Sequence, residues 1–224
     1  MTGGPGPEEA LRATARERRE AGVGMAPELT PLVERTRGLQ PWRRVFHAAT
    51  GVTLALLPRA LGLQKPAVVL VLGILLVAVL AADFARLRVT ALNALFFRMF
   101  PALASPREAV GIASSTWYLV GAFLTYALFP MRVAVPGILV LAFADPAAGT
   151  FGRLYGRRRL GHGTWVGSTA FLVVAFAVLA SFLGVAPGLA AALLVTTVEV
   201  VPWRLDDNLT VPVAAAFAAW VVGG

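Results

Sequence analysis

The 224-residue chain contains no cysteine, two histidines and a single lysine, Lys65. The absence of cysteine excludes disulfides, thiolate metal sites and cysteine nucleophiles. Because His47 and His162 are the only histidines, a histidine-rich metal site is excluded as well. The sequence also lacks the GxxxxGK[ST], HExxH and GxSxG patterns. It therefore gives no support to phosphate-loop, zinc-protease or serine-hydrolase chemistry.

Charged residues are scarce too, at 14%, whereas 58% of the chain is hydrophobic and the mean hydropathy is +0.74. Soluble domains are about 45–50% apolar, even by a count that includes glycine. The formal net charge is +8, but the basic residues flank apolar runs. We therefore attribute them to membrane topology and lipid headgroups, not to nucleic-acid binding. The composition predicts an integral membrane protein.

Residues 42–224 carry seven apolar runs, which we interpret as membrane-spanning helices; the last run is short, but residues in the membrane interface can extend a span. The runs are 45–62, 66–82, 110–129, 133–149, 164–183, 185–201 and 209–223. Residues 1–41 form a hydrophilic tail, which we interpret as largely disordered and cytosolic. The segment Val89–Leu103 mixes large apolar residues with Asn93 and Arg98, which predicts an interfacial helix, with an extra short span as the alternative. The predicted fold is an all-α polytopic membrane protein with about seven transmembrane helices.

The distribution of basic residues sets the expected orientation. Seventeen of the 20 lysine and arginine residues lie in segments that share one side of the membrane, namely 1–44, 83–108, 150–163 and 202–208. We therefore expect a cytosolic N-terminus. The acids that follow the tail all lie in or beside the cytosolic half: Asp83, Glu108, Asp145, Glu199, Asp206 and Asp207. The pattern predicts one cytosol-facing mouth where acids and bases meet.

Asp145, near the end of the fourth run, is the leading candidate for a functional residue, because an ionisable group at membrane depth is costly. Its carboxylate can hold Mg²⁺, with a structural ion pair as the alternative. We expect the chain to break there into a glycine-containing loop that approaches phosphate, followed by basic residues. The residues concerned are Gly149, Gly152, Gly156, Arg157, Arg158, Arg159 and His162. Close helix packing for the glycines, and a purely topological role for the arginines, are the alternatives.

Two clusters near other run ends are further candidates. Arg43, Arg44 and His47 lie together at the start of the first run, where His47 can carry a proton or act as an interfacial anchor. Glu199 precedes a run of three polar residues, Asp206, Asp207 and Asn208, which suits metal or substrate-hydroxyl contact. Helix capping by Asp207 or Asn208 is the alternative. Asp83 and Arg86 are spaced as an i,i+3 pair, which we interpret as a structural ion pair.

Several of these segments together resemble the dolichol kinase/phytol kinase family of CTP-dependent lipid-alcohol kinases. Ala144 to Gly149, with Gly152 and Gly156, is similar to its GDxxAxxxGxxxG signature. Glu199 followed by Asp206-Asp207-Asn208 and Pro212 resembles its glutamate and DDNxxxP motif. Arg43-Arg44 with His47 and Gly51 resembles its RKxxH…G pattern, and the similarity covers about 42–223. Where the family carries K[ST]xEGS, this chain has Gly163 to Ser168, with Gly163 and Val166 at the lysine and glutamate positions.

The resemblance implies a membrane kinase that transfers the γ-phosphate of CTP, with Mg²⁺, to the hydroxyl of an isoprenoid alcohol of the polyprenol, dolichol or phytol type. Asp145, Asp206 and Asp207 would hold the metal, and Glu199 or His47 would orient or deprotonate the hydroxyl. The implied nucleotide contacts are Arg43, Arg44, Gly149, Gly152, Gly156, Arg157, Arg158, Arg159, His162 and Asn208.

Two alternatives remain open, a CDP-lipid-forming cytidylyltransferase and a non-catalytic lipid-binding or transport relative that lacks the motif's lysine and glutamate. The expected partners are the lipid alcohol, the nucleotide and membrane lipids, and an oligomer is compatible with the sequence. The composition, rich in alanine, arginine and glycine with one lysine, indicates a GC-rich bacterial genome. We therefore expect the bacterial cell membrane, with the active site facing the cytosol.

Overall fold

The computed structural model describes residues 29–36, 40–161, 163–202 and 205–223. Most of the predicted tail, and His162, lie outside these described residues. The helices, in chain order, are α1 Thr30–Glu34, α2 Pro41–Ala60, α3 Lys65–Arg88, α4 Thr90–Met99, α5 Ser114–Leu128, α6 Met131–Tyr155, α7 Trp165–Leu183, α8 Val185–Val200 and α9 Asp207–Gly223. A short 3₁₀ turn, Pro106–Ala109, precedes α5, and strands β1 Arg159–Leu160 and β2 Gly163–Thr164 form an antiparallel hairpin.

The all-α class is confirmed, and helices α2, α3 and α5 to α9 lie on the seven predicted apolar runs. By length and composition, three helices within the described residues are suited to crossing a membrane: α3, α6 and α7. Helices α8 and α9 are apolar but shorter. Helix α4 has 10 residues and is therefore about 15 Å long. Because a span needs about 20 residues, this length favours the interfacial interpretation over the extra span.

Helix α6 forms the centre of the bundle, where it packs against α2, α7 and α9. Its residues from Val133 to Ala142 are all buried. Gly137 lets α9 come close, because a Cβ at this position would lie 2.9 Å from the Cβ of Ala216. Such small contacts allow helix backbones to approach within a membrane-type bundle. Asp145, one turn beyond the buried segment, is therefore held on a rigid element.

The loop expected between Gly149 and Gly156 is wrong, because α6 continues to Tyr155. The amide of Gly156 donates to the carbonyl of Gly152 at 3.0 Å. Amides within a helix are bonded to its own carbonyls and cannot also cradle phosphate. Gly152 instead allows close packing on α7, since a Cβ there would lie 3.4 Å from the Cα of Gly167 and 3.0 Å from Oγ1 of Thr164.

The expected ion pair between Asp83 and Arg86 is present and buried, with Nε of Arg86 2.5 Å from Oδ1 of Asp83. Arg86 also donates to Oδ1 of Asn93 at 3.0 Å, and to the carbonyls of Glu108 at 2.7 Å and Gly111 at 2.9 Å. These bonds join α3 to α4 and to the Pro106–Ala109 turn.

The other carboxylate oxygen of Asp83 connects the same network to the start of α5. It accepts from the amide of Ala113 at 3.0 Å and from the hydroxyl of Thr116 at 2.5 Å. A buried carboxylate that is paired and fully hydrogen-bonded is tolerated, whereas an unpaired one is not. The network therefore positions the segment 106–113, which borders the cavity described next.

Candidate active site

A cavity of about 930 Å³ lies where the N-terminal ends of α2, α5 and α9 meet the C-terminal half of α6. Eight of the predicted site residues line it: Arg43, Arg44, His47, Asp145, Gly149, Asp206, Asp207 and Asn208. Helix N-termini carry partial positive charge and unpaired amides, which favour anions. Of the six acids expected at one mouth, four line this cavity with the arginines, whereas Asp83 and Glu199 do not.

His47 and Asp145 face each other across the contact between α2 and α6. Nε2 of His47 lies 3.6 Å from Oδ2 of Asp145 and 3.2 Å from the carbonyl oxygen of Leu141. A carbonyl oxygen can only accept a hydrogen bond, so Nε2 carries a hydrogen in this arrangement. The second ring nitrogen, Nδ1, is therefore the atom through which a neutral His47 can accept a proton. The Asp145 side chain is 40% exposed, so it is accessible from the cavity.

Two arginines on the first turn of α2 are fixed by neighbouring groups. Arg44 donates to the carbonyl of Gly149 at 2.9 Å, while its charge is attracted by Asp145 and repelled by Arg153. Arg43 pairs with Glu108 at 3.2 Å and donates to the hydroxyl of Ser114 at 2.6 Å. Fixed guanidinium groups at a polar cavity can bind phosphate oxygens in a defined geometry.

Sequence reasoning counted Glu108 among the acids of the mouth but gave it no site role, and it gave none to Arg153, Arg107 or Ser114, which also line the cavity. Arg153 follows Gly149 by four residues and Asp145 by eight, which places all three on one face of a continuous helix. The prediction of a loop concealed this signal. The other three come from the Pro106–Ala109 turn and the start of α5, and no local pattern marks them.

The acidic segment at the start of α9 both caps this helix and lines the cavity. Oδ1 of Asp206 accepts from the amide of Asn208 at 3.0 Å and from its Nδ2 at 2.7 Å. The capping role considered for Asp207 or Asn208 is therefore carried by Asp206. Asp206 also lies near enough to His47 for its charge to act on the imidazole. The cap thus fixes this acid beside the pair formed by His47 and Asp145.

The donor set fits a magnesium ion that completes its coordination with phosphate oxygens. Among the described residues, no three possible ligands form a ready-made metal cluster. Mg²⁺ does not require one, since it usually takes one or two carboxylates together with substrate phosphates and water. Asp145, Asp206 and Asp207 supply carboxylates to the same cavity as the arginines. One or two of these three carboxylates would hold the ion.

The structure does not bring every predicted site residue to this cavity. Of the described candidates, six lie outside its lining: Glu199, Gly152, Gly156, Arg157, Arg158 and Arg159. The three arginines are exposed at the start of the hairpin. Glu199 accepts a hydrogen bond from Ser168 at 3.0 Å, on the α7–α8 side of the molecule. Functional roles for these six residues, and for His162, stay predictions.

Fold and cavity together define an all-α, membrane-type protein with a polar site suited to phosphate. The chain is similar to CTP-dependent diacylglycerol kinase 1 of Eremothecium gossypii, with 35% identity over 115 residues, which is 51% of this chain and 36% of that protein. The protein of the same name from Saccharomyces cerevisiae is 29% identical over 115 residues, covering 51% and 39%. A phytol kinase of Synechocystis is 34% identical over 121 residues, covering 48% and 51%.

These relatives confirm the resemblance to CTP-dependent lipid-alcohol kinases that the motifs indicated. The matched region spans between about one third and one half of each relative. No protein-family model matches the chain, and no solved structure does. The similarity thus supports a kinase of lipid alcohols without specifying the acceptor.

Proposed function

We propose that this protein is a membrane-embedded kinase that transfers the γ-phosphate of CTP, with Mg²⁺, to the hydroxyl of a lipid alcohol. The observation that carries the proposal is the cavity in which His47 and Asp145 lie beside arginines and three helix N-termini. Phosphoryl transfer depends mainly on positioning and charge neutralisation. This cavity supplies both, and the similarity to CTP-dependent lipid kinases supports CTP as the donor.

The arginines and helix N-termini bind and orient the triphosphate. Arg44 and Arg153 flank the face of α6 that carries Asp145, so they neutralise phosphate charge next to the reacting group. Asp145, Asp206 and Asp207 would hold Mg²⁺, which when bound neutralises charge on the β- and γ-phosphates.

His47 accepts the proton of the lipid hydroxyl. Its Nε2 hydrogen is donated to the carbonyl of Leu141, which leaves Nδ1 to receive the proton. The lipid oxygen then bonds to the γ-phosphorus, the bond from that phosphorus to the β–γ bridging oxygen breaks, and CDP leaves. Asp145 stabilises the imidazolium that forms, in addition to its role toward the metal. General-base assistance of this kind contributes typically 10²–10⁴-fold in rate.

For the acceptor we propose an isoprenoid alcohol of the polyprenol, dolichol or phytol type. The similarity to a phytol kinase supports this class. Diacylglycerol is the second candidate, because two of the relatives are named as diacylglycerol kinases. The two acceptors present a hydroxyl of similar chemistry, so direct competition between them is required to decide.

We further propose that α2, α3 and α5 to α9 are seven membrane spans, that the N-terminus is cytosolic, and that the cavity opens to the cytosol of a bacterial cell. The asymmetry of arginines supports this orientation. CTP is a cytosolic nucleotide, and every acid that lines the cavity lies on the same predicted side.

The proposal is tested with purified protein in detergent, γ-labelled CTP, Mg²⁺, and phytol, polyprenol and diacylglycerol supplied separately. We expect label in one lipid class and CDP as the second product, with both strongly reduced in Asp145→Asn. Arg98→Ala, which changes an exposed arginine on α4, is the matched control and should keep full activity. Pyrophosphate as the product would instead indicate the cytidylyltransferase. Tight lipid binding without turnover would indicate the non-catalytic relative.

A further inference from the structure

A second, smaller cavity adjoins the polar one. It has a volume of about 210 Å³ and lies between α2, α4 and α5. Its walls are mainly apolar and include Phe46, Thr50, Phe96, Phe100 and Leu103. Phe46 and Phe100 are 49% and 40% exposed, so this cavity reaches the outer surface of the helix bundle. We refer to it as the apolar pocket.

The apolar pocket and the polar cavity meet at four polar side chains. Arg43, His47, Glu108 and Ser114 line both spaces. A ligand in the apolar pocket therefore reaches the edge of the polar cavity at His47. An occupant that matches both surfaces has an apolar chain and a small polar end, because charged groups in the pocket itself would lose hydration without compensation.

Tyr118 forms part of the inner wall of the apolar pocket. Its ring lies edge-on to His47 with centroids 4.5 Å apart, and the residue is 3% exposed. Among the described residues, its buried hydroxyl has no hydrogen-bond partner. The hydroxyl lies against Gly51 on α2, at the contact between α2 and α6, so the proposal below depends on the ring of Tyr118 as an apolar wall and not on its hydroxyl.

We propose that the apolar pocket binds the hydrocarbon chain next to the hydroxyl of the acceptor lipid, and that it delivers this hydroxyl to His47. The inference rests on the proposed kinase function and adds the acceptor's position. The lipid enters from the side of the bundle between α2 and α4, while CTP occupies the polar cavity. The two substrates thus approach the junction at His47 from different spaces, which keeps the chain out of water during transfer.

The test fills the pocket without touching the polar cavity. Thr50 lines the apolar pocket, whereas Thr53, one turn further along α2, is exposed and lines neither space. We expect Thr50→Trp to lower kcat/KM for the lipid alcohol about tenfold or more, through KM. The indole takes the space of lipid methylene groups, and the contacts of one methylene in an apolar pocket are worth about 10–200-fold. The dissociation constant for CTP, measured by equilibrium dialysis, should stay within about twofold. Thr53→Trp should match the wild type in both readouts.

A measurement without catalysis separates this proposal from the kinase function. A diazirine-bearing phytol analogue is photolysed with the wild-type protein in the absence of CTP, and the labelled peptides are mapped. Labelling of Phe96 to Leu103 that unlabelled phytol or diacylglycerol suppresses supports the pocket, even if no phosphorylated lipid is found. If a protein with kinase activity is labelled only at residues that do not line the pocket, the proposal is overturned. Equal lipid KM values for folded Thr50→Trp and Thr53→Trp would overturn it as well.

Discussion

Nε2 of His47 and Oδ2 of Asp145 lie 3.6 Å apart, on two helices that are distant in the chain but packed together in the bundle. The contact places a proton carrier against a carboxylate at the edge of the polar cavity. Nε2 also forms a hydrogen bond with the Leu141 carbonyl, which holds one nitrogen of the ring in place. This orientation is what the proposed mechanism requires of a general base.

We expect His47→Ala to lower kcat by about 10²–10⁴-fold while leaving the CTP dissociation constant nearly unchanged. The reason is that His47 acts on the acceptor hydroxyl and not on the triphosphate. Steady-state kinetics with the lipid acceptor, together with equilibrium dialysis of CTP, measure the two effects. Addition of Asp145→Asn to His47→Ala should cost less than the product of the single effects, because the two residues act as a unit. A kcat within about threefold of wild type would remove His47 from the chemistry.

Asp145→Asn should also increase the Mg²⁺ concentration that gives half-maximal activity, by about tenfold or more. The change removes one carboxylate charge from the proposed metal site, and even indirect changes around a bound metal cost about 10–100-fold in affinity. Glu199→Gln is the matched control, since this carboxylate lies outside the cavity lining. Equal shifts in the two variants would show that Glu199 also reaches the metal and that the cavity assignment is incomplete.

Arg44→Ala should weaken CTP binding by about 10–100-fold, because a charge-assisted hydrogen bond contributes about 1.5–3 kcal/mol. Arg44→Lys should recover only part of the loss, since lysine keeps the charge but not the planar fork. Binding of CTP is measured at two salt concentrations, and the difference between variant and wild type should shrink at high salt. Arg98→Ala, on an exposed face of α4, serves as the control and should bind CTP normally.

The helices could be predicted from the sequence because apolar runs of suitable length are a strong, local signal. The position at which α6 ends could not be predicted in this way. Glycine costs about 1 kcal/mol relative to alanine in a helix, so Gly149, Gly152 and Gly156 suggested a break. The close approach of Gly152 to Gly167 on α7 outweighs this local cost, and it depends on a neighbour that the sequence does not specify.

In the candidate site, too, some residues could be predicted from the sequence, whereas their partners depend on tertiary structure. His47, Arg43 and Asp145 could be identified because charged groups near apolar runs are conspicuous. The partners of Arg43 could not, since Glu108 and Ser114 reach it only through the folded Pro106–Ala109 turn. Likewise, the spacing of Asp83 and Arg86 predicted their pairing, while the bonds to Asn93 and the segment 108–116 depend on tertiary structure.

This buried network should be critical for stability. Arg86→Met leaves the Asp83 carboxylate without its counter-ion, and removal of one partner from a buried pair costs about 3–5 kcal/mol. We expect the thermal unfolding midpoint in detergent to fall by about 6–20 °C. Arg88→Met changes an exposed arginine on the same helix and should shift the midpoint by little. Similar midpoints for the two variants would contradict a stabilising role for the network.

Gly163 and Glu199 provide a test of the motif position where this chain departs from the family pattern. A Cβ at Gly163 would lie 3.8 Å from Oε1 of Glu199 and would meet no closer atom, so the position has room for the start of a side chain such as the lysine of the motif. Its ammonium group would reach Glu199, whose other oxygen already accepts from Ser168.

We therefore expect Gly163→Lys to raise the unfolding midpoint by about 1–3 °C, because a partly exposed ion pair contributes up to about 1 kcal/mol. Gly163→Met has similar length without charge and is the control that isolates the ion pair. The gain should disappear in the double variant with Glu199→Gln, and it should diminish at high salt. If Gly163→Lys and Gly163→Met unfold at the same temperature, the lysine does not pair with Glu199, and the hairpin presents position 163 to solvent instead.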